Sequence, residues 1–176
     1  MQARASTQPA INSALPYALP PSGASAASPV TPVTPNGLSA EAALLLHDAR
    51  NAAFSEVAHG RMGQGLQLLG QALELKPMNH ELLCDMAALL LSAGDLVGAS
   101  DFAQQALTVR PKHGVSLYTL GFALSGQGEI KHAHAVLSDL MQDELALDSL
   151  LQDAPGLLPV IRAELARMQR LARQAR

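Results

Sequence analysis

One cysteine, no tryptophan and only five other aromatic residues stand among 176 positions. Cys84, being alone, cannot form an intramolecular disulfide. Neither a CxxC motif nor a four-cysteine zinc spacing exists, so nothing calls for an oxidising compartment and a reducing cytoplasm is the expected location. Charge is equally scarce. Twelve basic and fifteen acidic residues leave a formal net charge of −3, too little of either sign to hold a phosphate backbone or an anionic membrane, so neither nucleic acid nor membrane is an expected partner. Long apolar runs are missing too. The run through Ala87 to Leu91, extended by Met86, is the longest in the body of the chain, far short of the ~20 residues that cross a bilayer. Prolines at 9, 16, 20 and 21 interrupt every candidate secretory signal core. A soluble protein is expected.

What the chain does contain is alanine and leucine, 31 of each. These are the best apolar helix formers, and they predict an all-α protein. Seven of the eleven prolines and only one charge, Arg4, fall in residues 1–37. Such a stretch cannot bury enough apolar surface to offset its ordering entropy, and it reads as a disordered tail. The run PYALPPSGASAASPVTPVTP within it favours extended polyproline-like conformers and reads as a spacer, because no basic residue flanks the prolines as an SH3-type ligand would require. Helix signals begin at Ser39, an N-cap candidate followed by Glu41 in the first turn.

Sliding the chain against itself yields a period of 34 residues without gaps, over blocks 46–79, 80–113 and 114–147. The eighth position is Ala53, Ala87 and Gly121; the fifteenth is Gly60, Gly94 and Gly128; the twentieth is Gly65, Ala99 and Ala133. Two antiparallel helices approach closely only where side chains are small, and a glycine between them admits a turn that a β-carbon opposes. Each block is therefore predicted to be a helical hairpin. Positions seventeen (Met62, Leu96, Ile130) and twenty-four (Leu69, Ala103, Leu137) continue the buried stripe, and Pro77 and Pro111 end the first two blocks.

On these residues the chain resembles the tetratricopeptide-repeat (TPR) family. The second block matches the family pattern best, through Leu83, Met86, Ala87, Leu90, Ala99, Ala103, Ala106 and Pro111. The third matches through Leu117, Leu120, Gly121, Leu124, Ala133 and Leu137, but has Leu140 and Leu145 where Ala and Pro are usual. The first is weakest at its front, with Ala49, Ala52 and Glu56. The resemblance implies a superhelix of three helical hairpins in residues 38–176. Beyond Leu147 the period fails. Leu150 and Leu151 read as an extension of the last helix or a short separate turn, and Pro155, Gly156 and Pro159 then break the chain. A final helix from Val160 sets Ile161, Leu165, Met168 and Ala172 on one face, the cap that a solenoid requires. Its Arg162, Arg167, Arg170, Arg173 and Arg176 suit the negative end of a helix dipole.

No catalytic, metal or cofactor constellation emerges. His132 and His134 lie about 200° apart on a helix, so the histidines read as solvated surface. GRMGQG at 60–65 lacks the GKS or GKT ending of a phosphate-binding loop. Cys84 has no base beside it in sequence and reads as a small, half-buried apolar residue. A non-enzymatic chain is expected, with its function in a binding surface.

The resemblance places that surface in a concave groove lined by positions two, five, nine and twelve of each first helix. These are His47, Arg50, Phe54 and Val57; Glu81, Cys84, Ala88 and Leu91; and Val115, Tyr118, Phe122 and Ser125. Three of the five aromatics fall there, which points to pockets for apolar side chains of a peptide. TPR domains that clamp chaperone C-terminal carboxylates use Lys, Asn and Arg where this chain has Arg50, Phe54, Asp85, Val115 and Thr119, so that ligand is not expected. The apolar groove and flanking helices are similar to the class II chaperones of bacterial type III secretion. That similarity implies a secreted or assembly subunit as the client, held as an extended segment. A scaffold in pilus or envelope assembly is the alternative. The tail, the leading helix and the basic final helix are candidate self-association elements, with a homodimer among the expected states.

Overall fold

The computed structural model describes residues 40–174, and both the stretch expected to be a tail and Ser39 lie outside them. Eight α-helices account for the architecture: α1 (Ala40–Ala58), α2 (Met62–Leu75), α3 (His80–Ala93), α4 (Leu96–Val109), α5 (Gly114–Gly126), α6 (Ile130–Gln142), α7 (Glu144–Asp153) and α8 (Leu158–Gln174). A short 3-10 turn, Pro155–Leu157, joins the last two, and no strand occurs among the described residues. The pairs α1–α2, α3–α4 and α5–α6 are hairpins, and each stacks on the next.

Repeat chemistry explains this geometry. Ala53, Ala87, Ala99 and Ala133 have no exposed surface, and Gly65 and Gly121 are buried with them. At Gly121 a β-carbon would lie 2.4 Å from Leu137 Cδ2, so the leucine of α6 already occupies that space. Gly60, Gly94 and Gly128 all have positive φ, at 79°, 82° and 86°, a left-handed conformation that a β-carbon opposes. Side chains cap the helices that follow: Asn79 accepts from Leu82 N at 2.9 Å, Asp95 from Gly98 N at 2.9 Å, and His113 Nδ1 from Ser116 N at 3.2 Å. Leu69, Leu82, Leu83, Leu137 and Leu140 are fully buried, each contributing about 1.5–3 kcal/mol by leaving water.

After α6 the structure departs from the expected pattern. Four residues, Lys76 to Asn79 and Arg110 to His113, connect the first two hairpins to their successors, but Asp143 alone connects α6 to α7. Asp143 caps the new helix, accepting from Ala146 N at 3.0 Å. Leu150 thus belongs neither to an extended α6 nor to a short turn. It lies in a separate ten-residue helix packed on α5, with Ala146 and Leu150 fully buried. Gly114 makes room, because a β-carbon there would lie 2.5 Å from both Ala146 O and Leu150 N. Helix α8 then closes the end, burying Ile161 and Met168 with Leu165 half-buried, whereas Ala172, expected on the same face, is exposed. Among the described residues no helix is long and apolar enough to cross a membrane.

Candidate functional site

Helices α1, α3 and α5 carry the residues expected to line the groove. At the α1–α3 junction the Arg50 guanidinium bonds Glu81 Oε2 at 2.5 Å and both carboxylate oxygens of Asp85. One cation is thereby shared between two carboxylates. Asp85 is the more enclosed partner, its side chain 14% exposed against 52% for Glu81. Burial pushes the Asp85 carboxyl up, against the hydrogen bond and charge of Arg50.

Phe54 is 41% exposed on α1, and Ala88 and Leu91 are half-buried on α3. Val57 is turned into the hairpin contact instead, its Cγ2 lying 2.6 Å from where a β-carbon of Gly65 would stand. On α5, Val115, Tyr118 and Phe122 are half-buried against the core that α6, α7 and α8 build. The Tyr118 and Phe122 rings are 4.5 Å apart and inclined at 37°, a spacing typical of favourable aromatic pairs. Burial pushes the Tyr118 hydroxyl up. At the end of α5, Ser125 Oγ donates to Glu164 and accepts from Arg167 at 2.7 Å, which ties α8 to this helix. The C-terminal helices therefore cover part of the surface assigned to the groove.

Cys84 lies in a polar cluster. Its Sγ is 3.1 Å from Ser116 Oγ, 3.4 Å from His80 Nε2 and 3.7 Å from His113 Nδ1. His113 is buried and sits edge-on to His80, ring centroids 4.4 Å apart, with its Nε2 3.2 Å from Asp153 Oδ2. His80 and His113 are thus not solvated surface residues. Sequence reasoning found no base beside Cys84, yet two imidazoles adjoin it. A signal was present, because His80 and Cys84 are four residues apart on one helix and share a face. Stacking of the next hairpin brings in His113 and Ser116. Even so, burial pushes the Cys84 thiol up to about 11, the opposite of an activated nucleophile, which needs a thiolate near neutral pH. Burial first, then the nearby charges of His113 and Arg110, lowers His80 to about 4. His132 is exposed beside Glu129 at 3.2 Å, and His134 is half-buried near Ser138.

Solved structures share the helical fold over about three quarters of this chain. The TPR domain of Sgt2 from Aspergillus fumigatus superposes with a TM-score of 0.59 at 21% identity, over 74% of this chain and 80% of that one. The Arabidopsis OM64 TPR domain gives 0.60 at 15% identity, over 73% and 98%. The first TPR domain of Spaghetti (RPAP3), bound to the HSP90 peptide SRMEEVD, gives 0.59 at 12% identity, over 77% and 98%. The fold is that of a TPR superhelix. No protein-family model and no curated protein sequence matches the chain. Here the first helices of the hairpins are α1, α3 and α5, with α3 packed on α5 and α5 on α7. The cation that the sequence offers nearest a carboxylate clamp, Arg50, is already committed to Glu81 and Asp85.

Proposed function

We propose that this chain is a non-catalytic protein-binding module whose groove, formed by α1, α3 and α5, holds an extended apolar segment of a partner polypeptide. Position nine carries the reading: Phe54, Ala88 and Phe122 alternate aromatic, small and aromatic along successive first helices, a pattern that would seat a client side chain over Ala88 between two rings. An extended peptide presents alternate side chains to such spaced recesses. Charge supports an apolar client over an acidic one. Glu81 and Asp85 outnumber Arg50, so an acidic peptide such as the SRMEEVD bound by Spaghetti would meet net repulsion here.

The client class is the one implied by the similarity to class II type III secretion chaperones: an amphipathic secreted subunit, shielded in the cytoplasm before export. Masking its apolar stretch suppresses aggregation. A scaffold in pilus or envelope assembly is the competing role, and the identity of the captured subunit separates the two. Light scattering on the same preparations distinguishes a free monomer from a homodimer.

The test uses an array of extended peptides running from apolar to acidic, SRMEEVD included. Tyr118 and Phe122 pack against the core, so charging them would disturb stability along with binding. Phe54→Glu combined with Ala88→Arg charges the open positions instead. Apolar peptides should bind the native chain and lose at least ~10-fold in affinity to the double variant, as expected when a central recess is filled, with helicity unchanged. Preferential capture of SRMEEVD, or equal binding by both proteins, would overturn the groove assignment.

A further inference from the structure

The cluster at the start of α3 and α5 includes Cys84, one of the positions assigned to the groove, but rests on different observations. Candidate metal-donor atoms of His80, Cys84 and His113 all lie within 4.8 Å of one another. In a tetrahedral zinc site, with Zn–S near 2.3 Å and Zn–N near 2.0–2.1 Å, a sulfur and a nitrogen ligand stand about 3.6 Å apart. The two nitrogens here stand at 3.4 Å and 3.7 Å from Cys84 Sγ. Two donors from α3 and one from the cap of α5 thus hold sulfur-to-nitrogen distances close to those that an ion between them would impose.

A second observation comes from the far side of His113. Its Nδ1 faces the sulfur, and its Nε2 lies 3.2 Å from Asp153 Oδ2 at the end of α7. Metal-bound imidazoles characteristically give their remaining N–H to a carboxylate, which fixes tautomer and ring orientation. Ser116 Oγ, 3.1 Å from Cys84 Sγ, is placed to donate to a thiolate. His80 lines an open cavity of about 770 Å³, walled also by Lys76, Met78, Glu81 and Arg110, which supplies a route for a hydrated ion.

We propose that His80, Cys84 and His113 form a binding site for a borderline-soft divalent transition-metal ion of the zinc class, with Asp153 orienting His113 and water completing the coordination. The donor set of one thiolate and two imidazoles selects such ions over magnesium or calcium. On binding, the Cys84 S–H gives up its proton to solvent and the sulfur bonds the metal. His113 Nδ1 exchanges the Ser116 N–H at 3.2 Å and the Ser116 hydroxyl at 2.8 Å for the ion, which frees that hydroxyl to donate to the thiolate. A bound ion would join α3 to α5, while Asp153 reaches it from α7.

Cobalt(II) provides the probe, added to the full chain at neutral pH under reducing, oxygen-free conditions. One equivalent should produce a thiolate-to-cobalt charge-transfer band with the intense ligand-field absorption of a tetrahedral site, and zinc should bleach both. Cys84→Ala should abolish the charge-transfer band. His80→Ala, at a half-buried position, should weaken cobalt affinity at least ~10-fold with helicity retained, whereas a His113 variant would also lose the α5 cap. A native chain that shows no thiolate band overturns the site, and so does a band that survives loss of Cys84 or an affinity unchanged by loss of His80.

Discussion

Two alanine substitutions, alike in sequence terms, should move stability in opposite directions. Gly114 opens α5 and Gly63 is the second residue of α2, so both stand in the first turn of a helix. Replacing glycine by alanine within a helix gains at most ~1 kcal/mol. At Gly63 nothing lies within 4 Å of the added methyl group, and Gly63→Ala should realise part of that gain. At Gly114 the methyl would meet Ala146 O and Leu150 N at 2.5 Å and Leu150 Cβ at 2.6 Å. Two of these are backbone atoms of α7, which no rotamer change can withdraw. Restoring carbon contact distance requires moving the helix by about 1 Å, and overpacking of this kind costs ~1–3 kcal/mol. If α7 lifts off instead, the fully buried Leu150 is exposed at a similar cost of ~1.5–3 kcal/mol. A domain of this size loses roughly 3 °C of melting temperature per kcal/mol. Gly114→Ala should therefore melt about 3–9 °C below the native chain, and Gly63→Ala up to about 3 °C above it. Amide exchange should accelerate first in α7. If Gly114→Ala melted as high as Gly63→Ala, α7 would not lie against α5, and the single-residue connection at Asp143 would be wrong.

Acid should weaken the fold through His80. Its pKa is lowered from 6.5 to about 4 in the folded state, so across that window the unfolded chain holds a proton that the folded chain does not, and stability falls as pH falls. Above about pH 6.5 this group has no effect. His80→Gln should flatten that part of the stability profile, measured by denaturant titration at pH 7 and pH 4.5, and an equally steep variant would show that another group is responsible. Ala99→Arg places a guanidinium at a position with no exposed surface. Overpacking and an unpaired buried charge together should cost at least ~3 kcal/mol, and a native melting curve for that variant would mean the repeat register is wrong.

The repeat was legible because its demands fall on residue type. A left-handed turn requires Gly60, Gly94 and Gly128, and a close helix contact requires Ala or Gly at positions eight and twenty, so both leave marks at fixed spacing. Helix α7 was less legible because the mark used to end a hairpin, proline, is replaced by Leu145. The alternative mark was local: Asp143 as cap, Glu144 in the first turn, and Ala146 and Leu150 four apart on the buried face. Val57 shows how a register argument fails at one side chain. It shares the helical face of Arg50, but the first hairpin has Gly65 where the other two have Ala99 and Ala133, and Val57 fills the space left by the missing methyl group. The Cys84 cluster escaped notice for a different reason. His113 is a cap at the end of one block while Cys84 is the fifth residue of that block, and only stacking of α5 on α3 makes them neighbours.

The distribution of charge along the first helices sets how a client could lie. Position five changes from Arg50 to Cys84 to Tyr118, and position two from His47 to Glu81 to Val115. Arg50 joins Glu81 and Asp85 at the α1–α3 junction, whereas α5 presents Val115, Tyr118 and Phe122 against an apolar core. A half-buried carboxylate such as Asp85 depends on its cation, so a client that drew Arg50 away would leave a poorly compensated charge. The Arg50 cluster is therefore a fixed polar boundary. On the proposed reading, the apolar residues of the bound segment lie between Phe54 and Phe122, and its polar flank lies over α1 and the start of α3.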